Sequence, residues 1–313
     1  MTRTPDQHDA PGTTRIVAPR RSSAGQTTAS TRFFIVVVLY RMALSDSPTI
    51  RSLVSAADAL EASTILVWDN SPAPQSDAAL ARLRGAGRWE TRYVHASENV
   101  GLAAIYTTAI EAADGHDLVV LLDQDSSFSR HYLDAVRAAA AGHPECALFL
   151  PIVESHGRIV SPGHYRWIKG RYWRERRTGL IAARGLTAIN SGMAVRRAYL
   201  QEEFAGYDQR LRFYGVDTFF MLDHARRRSF AYVLDSVIDH ESALLDQAAT
   251  VSERLERYRA LFHAWMLLHE ASRVRSFAVR CYALYVGARE STRARDSRFL
   301  RSAWSAVVGR GER

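Results

Sequence analysis

Cysteine is nearly absent from this 313-residue chain: Cys146 and Cys281 are the only two, far apart and outside any metal-ligand spacing. Neither a disulfide framework nor a zinc site is supported, and a reducing compartment is the simple expectation. The glycines never fall into GxGxxG or GxxxxGK[ST] order, so the Rossmann dinucleotide and P-loop readings lose their main support. No apolar run approaches the ~18 residues of a membrane span, and the opening residues lack the apolar core of a signal peptide. No internal repeat is visible. These absences lead to the expectation of a cytoplasmic protein, with the inner face of the cell membrane as its one peripheral alternative.

With 47% hydrophobic residues the chain can bury a full core, enough for one large domain with an appendage or for two modest domains. The formal charge of +8 is unevenly placed. From Ser252 to Arg313 there are 13 arginines against 6 acidic residues, so almost the whole excess sits in the last fifth. Such a region meets anionic lipid, nucleic acid or water. No nucleic-acid fold signature accompanies it, which makes nucleic acid the least expected partner.

Residues 1–31 are rich in Thr, Ser, Pro, Gly and Arg and carry almost no large apolar side chain, so a disordered leader is expected. Order should begin at Phe33-Phe34-Ile35-Val36-Val37-Val38-Leu39-Tyr40, a run suited to a strand buried on both faces. A helix is predicted from Pro48 to Leu60, a strand over Thr64–Trp68, a helix over 78–84, a strand over Thr91–Val94 and a helix over Leu102–Ala113. This alternation predicts a mostly parallel α/β sheet flanked by helices.

The next strand, Leu118-Val119-Val120-Leu121-Leu122, runs into Asp123-Gln124-Asp125-Ser126. In an extended segment, side chains two apart point the same way, so both carboxylates can face one Mg²⁺ or Mn²⁺ ion. Such ions keep positions for substrate phosphates, which suits a nucleoside diphosphate. An Asp-rich turn, with Asp123 as a cap and Ser126 opening a helix through Tyr132 and Val136, reads the same letters without a metal. The surroundings favour the metal. In parallel sheets ligands sit beyond the carboxyl ends of the strands, and Tyr40-Arg41, Asp69-Asn70-Ser71 and Asn99-Val100-Gly101 all fall at such ends.

The order of these motifs resembles the inverting family 2 glycosyltransferases of GT-A fold, and the wording Leu121-Leu122-Asp123-Gln124-Asp125-Ser126 is similar to their bacterial rhamnosyltransferase branch. The resemblance spans roughly Phe33 to Ser242. It implies a GT-A domain over 32–248 and a metal-dependent inverting transfer of L-rhamnose from a nucleoside-diphosphate donor such as dTDP-L-rhamnose. The acceptor it implies is a glycan or glycolipid hydroxyl. It further implies that Arg41, Asp69, Asn70, Asn99, Gly101 and Asp123 hold the nucleotide. Asn190, Ser191 and Gly192 border the donor sugar, and His240 joins Asp123 and Asp125 on the metal. By the same resemblance Asp217, in Phe213-Tyr214-Gly215-Val216-Asp217, is the expected base. Two departures stand out: Ala103-Ala104-Ile105-Tyr106 lacks a polar residue common in relatives, and only one carboxylate is available at Val216-Asp217. Galactofuranose or a hexose is the alternative sugar, and a non-catalytic binding protein is the alternative class. His240 and Asp217 also have plain readings, as an ordinary histidine and as a helix N-terminal acid.

Between Pro151 and Gly185 arginines and aromatics crowd together, among them Tyr165, Trp167, Arg171 and Tyr172. Aromatic faces stack on sugars and Arg pairs with phosphates, so an acceptor-side surface for an anionic acceptor and a solvated hairpin are both open. Residues 249–313 are expected to form a basic helical extension. Leu255, Tyr258, Leu261, Phe262, Trp265, Met266 and Leu268 recur at helical spacing in a segment from Glu253 to Gly287, with a second, nearly apolar helix from Phe277 to Ala288. Packing on the domain explains them. So does docking on an anionic inner leaflet, anchored by Trp265 or Trp304.

Overall fold

The first strand, β1 (Phe33–Leu39), is buried on both sides because its alternate residues feed two separate cores. Phe33, Ile35, Val37 and Leu39 pack with α1 (Pro48–Ser55), α2 (Asp77–Gly85) and α4 (Arg130–Gly142), while Phe34 and Val36 pack with α3 (Leu102–Ala112), α5 (Arg197–Glu202) and α6 (Val216–Arg227). This is a three-layer α/β arrangement in a computed structural model that describes residues 31–240 and 250–309. Apart from Thr31, the expected leader lies outside the described residues.

Strands β2 (Thr64–Asp69), β3 (Glu90–His95) and β4 (Leu118–Asp123) join β1 in parallel. Past β4 the sheet turns mixed: β12 (Met193–Arg196) is antiparallel to β4 and to β6 (Leu148–Ser155), and β13 (Phe230–His240) runs parallel to β6. Short strands β5 (Ser126–Ser127), β7 (Arg158–Ser161) and β10 (Gly179–Ala182) extend this sheet. β8 (Gly163–Arg166), β9 (Lys169–Tyr172) and β11 (Leu186–Thr187) make a second, three-stranded sheet. The arginine- and aromatic-rich segment is therefore a hairpin, with Trp167 and Tyr172 exposed.

Three expected boundaries shift. The helix expected over 48–60 ends at Ser55 and continues as a 3₁₀ turn over Ala57–Leu60. Ser126 does not open a helix: it pairs with His240 in the sheet, and α4 starts at Arg130 after Ser129. The two helices expected over 253–288 divide instead at Leu268 and Arg273, and a third follows them: α7 (Val251–Leu268), α8 (Arg273–Ala294) and α9 (Arg298–Val308). Thr250 and Glu253 close a capping box at the start of α7, and Ser272 caps α8, which is why a new helix begins there. Ala264 of α7 belongs to the core beneath α6. None of the described helices is long and apolar enough to cross a membrane.

Candidate functional site

The acidic turn is fixed before any ligand is considered. Gln124, between the two aspartates, accepts the Tyr40 backbone N–H through Oε1 at 2.7 Å, and its carbonyl accepts Ser47 Oγ at 2.6 Å. Thr49 Oγ1 donates to the Asp123 carbonyl at 2.5 Å and accepts from Ser126 N at 2.9 Å. These bonds join the end of β1 and the start of α1 to the turn after β4. Register then supplies the third member: His240 pairs with Ser126 across β13 and β5, and its Nδ1 lies 3.2 Å from Asp125 Oδ1.

One ligand atom from each of Asp123, Asp125 and His240 lies within 4.8 Å of the other two. Burial pushes the Asp123 carboxyl above its ordinary range; His240 draws it back down, and the charge of neighbouring Asp125 pushes it up again. Ser191 Oγ donates to Asp123 Oδ2. Two crowded acids and an imidazole form a donor set that fits a divalent cation such as Mn²⁺ or Mg²⁺. A pocket of about 220 Å³ opens on Asp125 and His240 beside Glu154, His156 and Asp239.

A larger cavity of about 870 Å³ lies at the carboxyl ends of β1 and β2 and the loop after β3. Tyr40, Asn70, Asn99, Arg212 and Phe213 line it, and Glu256, Arg257 and His263 of α7 close one side. The volume suits a nucleotide-sized ligand. Asn99 sits in the left-handed region at φ 51°. A Cβ at Gly101 would stand 2.9 Å from Arg212 Cα, so any larger residue there would have to displace the Arg212 segment. Asp69 is fully buried; burial raises its pKa, yet hydrogen bonds from Ser71, Tyr93 and Gln75 outweigh this and hold it below the ordinary value. Asn70 is engaged on both sides of its carboxamide, donating to Val100 O and accepting from Val100 N and Trp68 Nε1. It braces the rim. Arg41 is exposed at φ 53°, with its guanidinium 5.0 Å from the Tyr40 ring.

Asn190, Ser191 and Gly192 form the turn into β12. Gly192, at φ 81°, has no space for a side chain, since a Cβ would meet Ile238 Cδ1 at 2.3 Å and Pro151 Cγ at 2.8 Å. Its carbonyl accepts the Tyr132 hydroxyl at 2.7 Å. Of this triplet, Ser191 is the residue that touches an aspartate of the acidic turn.

Asp217 occupies the first turn of α6, which Gly215 enters at φ 80°. It faces a third cavity of about 330 Å³, lined by Tyr165, Lys169, Arg171 and Tyr172 of the small sheet and by Trp265 and Tyr282 of the C-terminal helices. Burial raises the Asp217 pKa to about 6 against bonds donated by Thr218, and the charge of Asp123 adds to the rise. No Arg or Lys pairs with it among the described residues, whereas Asp208 is bound to Arg210 and Asp223 to Arg227. A carboxylate near neutrality, facing a cavity and within electrostatic reach of the acidic turn, is equipped to take a proton.

The roles of Gln124, Thr49, Tyr93 and the α7 residues Glu256, Arg257 and His263 are not legible in the sequence, since each acts across long stretches of chain. The local signal that points at the turn is the spacing of Asp123 and Asp125, two residues apart after an apolar strand.

The family 2 glycosyl transferase sequence model matches residues 35–204, more than half of the chain and including the whole acidic turn. The chain belongs to glycosyl transferase family 2. No curated protein sequence matches this family 2 chain. Among solved structures, GalNAc-T7 with UDP, GalNAc and Mn²⁺ is similar with a TM-score of 0.57 at 11% identity, covering 88% of this chain and 55% of that one. TarS of S. aureus gives 0.52 at 14%, covering 88% and 55%. The Pyrobaculum calidifontis mannosyltransferase PcManGT, with GDP-Man and Mn²⁺, gives 0.50 at 16%, covering 91% and 89%. This family 2 chain thus spans about 55% of the first two proteins. At these identities the likeness is one of fold, and that fold is GT-A. Asp217 and His240 lie beyond the matched segment, so the match does not bear on the roles expected of them.

Proposed function

We propose that the protein is a metal-dependent inverting glycosyltransferase that moves L-rhamnose from a nucleoside-diphosphate donor, such as dTDP-L-rhamnose, to a hydroxyl of a glycan or lipid-linked acceptor. The observation that carries the proposal is the convergence, on one rim of the sheet, of the Asp123, Asp125 and His240 set with Asp217 in the neighbouring cavity. Asp123, Asp125 and His240 would hold the cation, which when bound neutralises charge on the departing diphosphate. Asn70 and Asn99 line the nucleotide cavity, Arg41, Asp69 and Gly101 belong to the same three rim loops, and Ser191 orients Asp123 toward the donor. Asn190 and Gly192 border the sugar.

On this reading Asp217 accepts the proton of the acceptor hydroxyl as that oxygen attacks the anomeric carbon, a single displacement that inverts the centre. The aromatic and cationic wall of its cavity supports an anionic, lipid-linked acceptor. Residues 32–248 carry the chemistry and 249–313 form the extension; the enzyme works in the cytoplasm, on the inner face of the membrane. The wording of the acidic turn supports rhamnose. Transfer of a hexose is the second reading, favoured by the likeness to a mannosyltransferase bound to GDP-Man. Isothermal titration with dTDP-L-rhamnose, GDP-mannose and UDP-sugars, with and without Mn²⁺, tests both. Binding of dTDP-L-rhamnose only with Mn²⁺ supports the proposal, preference for GDP-mannose selects the second reading, and binding of none removes both.

A further inference from the structure

The outward side of the α8–α9 hairpin is apolar where a helical surface should be polar. On α8, Val274, Phe277, Cys281 and Tyr285 follow one another at spacings of three and four, with Val274 70%, Phe277 71% and Tyr285 61% exposed. On α9, Leu300, Trp304 and Val308 repeat every fourth residue, with Trp304 57% exposed. The opposite faces are accounted for: Ala283 and Val286 of α8 and Ala303 of α9 pack with Phe262 of α7, Phe299 of α9 meets Tyr258 of α7, and Val279 of α8 is buried. Gly287 permits the two helices to touch, since a Cβ there would meet Ala303 Cβ at 2.7 Å. Both exposed stripes therefore point away from α7 and lie side by side.

Charge says what covers this face. Arg273–Val308 holds eight arginines against two acids, and both acids are occupied: Glu290 is buried between Arg254 and Arg289, and Asp296 binds Arg298. A second copy of the chain would bring the same positive charge to the contact, which disfavours self-association. An apolar stripe bearing Phe and Trp on helices that carry this excess of arginine suits an interface with an apolar layer beneath anionic groups.

The face is also continuous with the Asp217 cavity. Trp265 and Tyr282, both lining that cavity, meet with centroids 5.2 Å apart and planes tilted by 35°; Tyr282 in turn meets exposed Tyr285 at 6.3 Å; and Lys169 Nζ sits 5.4 Å over the Tyr282 ring. A chain of rings leads from the reaction cavity to the apolar surface.

We propose that the outer face of α8 and α9 docks on an anionic lipid bilayer and sets the mouth of the Asp217 cavity against it, so that a lipid-linked acceptor enters along Tyr285, Tyr282 and Trp265. The docking stands on the surface alone; the delivery of acceptor rests on the glycosyltransferase reading. Docking is peripheral, by partial insertion of Phe277 and Trp304 with arginines on the phosphates.

The test is co-flotation of the full chain with phosphatidylcholine vesicles, with and without phosphatidylglycerol. Binding is expected only with phosphatidylglycerol and should weaken at high salt. The double variant Phe277→Ser, Trp304→Ser should lose on the order of tenfold in vesicle affinity. Arg293→Gln and Arg301→Gln should each lose roughly fivefold. Arg82→Gln with Arg84→Gln, on α2, should change nothing. Circular dichroism and nucleotide binding report whether each variant is folded, and activity on a water-soluble acceptor should survive in the Phe277, Trp304 variant. Equal binding to neutral vesicles, or vesicle binding unmoved by these substitutions, overturns the docking. So does a dimer dispersed by Phe277→Ser, or tighter binding to duplex nucleic acid than to vesicles. Failure to bind any nucleotide sugar would remove the delivery role and leave the vesicle result standing.

Discussion

His240 Nδ1 stands 3.2 Å from Asp125 Oδ1, a contact made by pairing the end of β13 with the two-residue strand that follows the acidic turn. Strand register, not sequence proximity, completes the donor set. Because no glycine-rich cradle is present to bind a diphosphate, donor binding should depend on the cation. Asp125→Ala and His240→Ala should each weaken Mn²⁺-dependent donor binding by tenfold or more, a loss on the order of that seen when even outer partners of metal ligands are removed. Titration calorimetry with and without EDTA checks this. Unchanged affinity in EDTA would take the metal out of donor binding.

Asp217→Asn separates chemistry from binding. The amide is isosteric and cannot accept the proton, so turnover should fall by a factor on the order of 10² or more while donor affinity stays. Asp208 and Asp223 are poor substitutes, since each is already paired with an arginine. Initial rates and calorimetry on the same variant decide it; near-normal turnover would discharge Asp217 from its role.

The pH profile follows from the same carboxyl. Burial raises its pKa to about 6, and a base acts only when ionised. The rate should therefore be flat above about pH 7 and fall roughly tenfold per unit below about pH 6. The acid limb should vanish in Asp217→Asn. A limb that persists in the variant would belong to another group.

How much of this was legible beforehand depended on range. The double-sided run Phe33–Leu39 announced a central strand because both of its faces are apolar, and the polar residues after each parallel strand announced the rim. The fate of Ser126 was not legible, because its partner His240 lies on the last strand. The break between α7 and α8 was equally hidden: His269 is buried and its Nε2 meets the Tyr165 hydroxyl at 2.9 Å, a tertiary contact that the helical spacing of Leu255 to Leu268 could not signal. Asn70, for which the family resemblance implies a nucleotide contact, lines the large cavity, and its carboxamide is at the same time engaged with Val100 and Trp68. Position on the rim shows which loops meet a ligand, but not which atoms are left to do so.

Gly101→Ala tests the clamp between α3 and the segment lining the nucleotide cavity. Gly101 has an ordinary φ of −67°, so alanine would gain about 0.4–1 kcal/mol from a stiffer unfolded chain. Against that, its Cβ would stand 2.9 Å from Arg212 Cα and 3.2 Å from Arg212 Cβ, and overpacking against backbone costs about 1–3 kcal/mol. The clash should win. A lower denaturation midpoint with weakened nucleotide binding is expected; a stabilised protein would show that the Arg212 segment yields freely.

Tyr93→Phe probes the buried carboxylate of Asp69. The phenol donates to Asp69 Oδ2 at 2.8 Å and accepts from Gln75 N at 2.8 Å, and burial, foremost, raises its own pKa to about 12, so it stays a donor throughout the working range. Removing it leaves a buried charge one donor short, a cost of about 1–3 kcal/mol. The sign of the pH dependence is fixed by the direction of the Asp69 shift. Its pKa is held below the ordinary 3.8 in the folded protein, so its stabilising contribution is complete above that value and is lost as pH falls through the folded value. The penalty of Tyr93→Phe should accordingly be full at neutral pH and shrink in acid. Urea unfolding of both proteins at pH 7 and near pH 3 measures it, and an equal penalty at both would mean that the phenol stabilises by packing and not through the Asp69 charge.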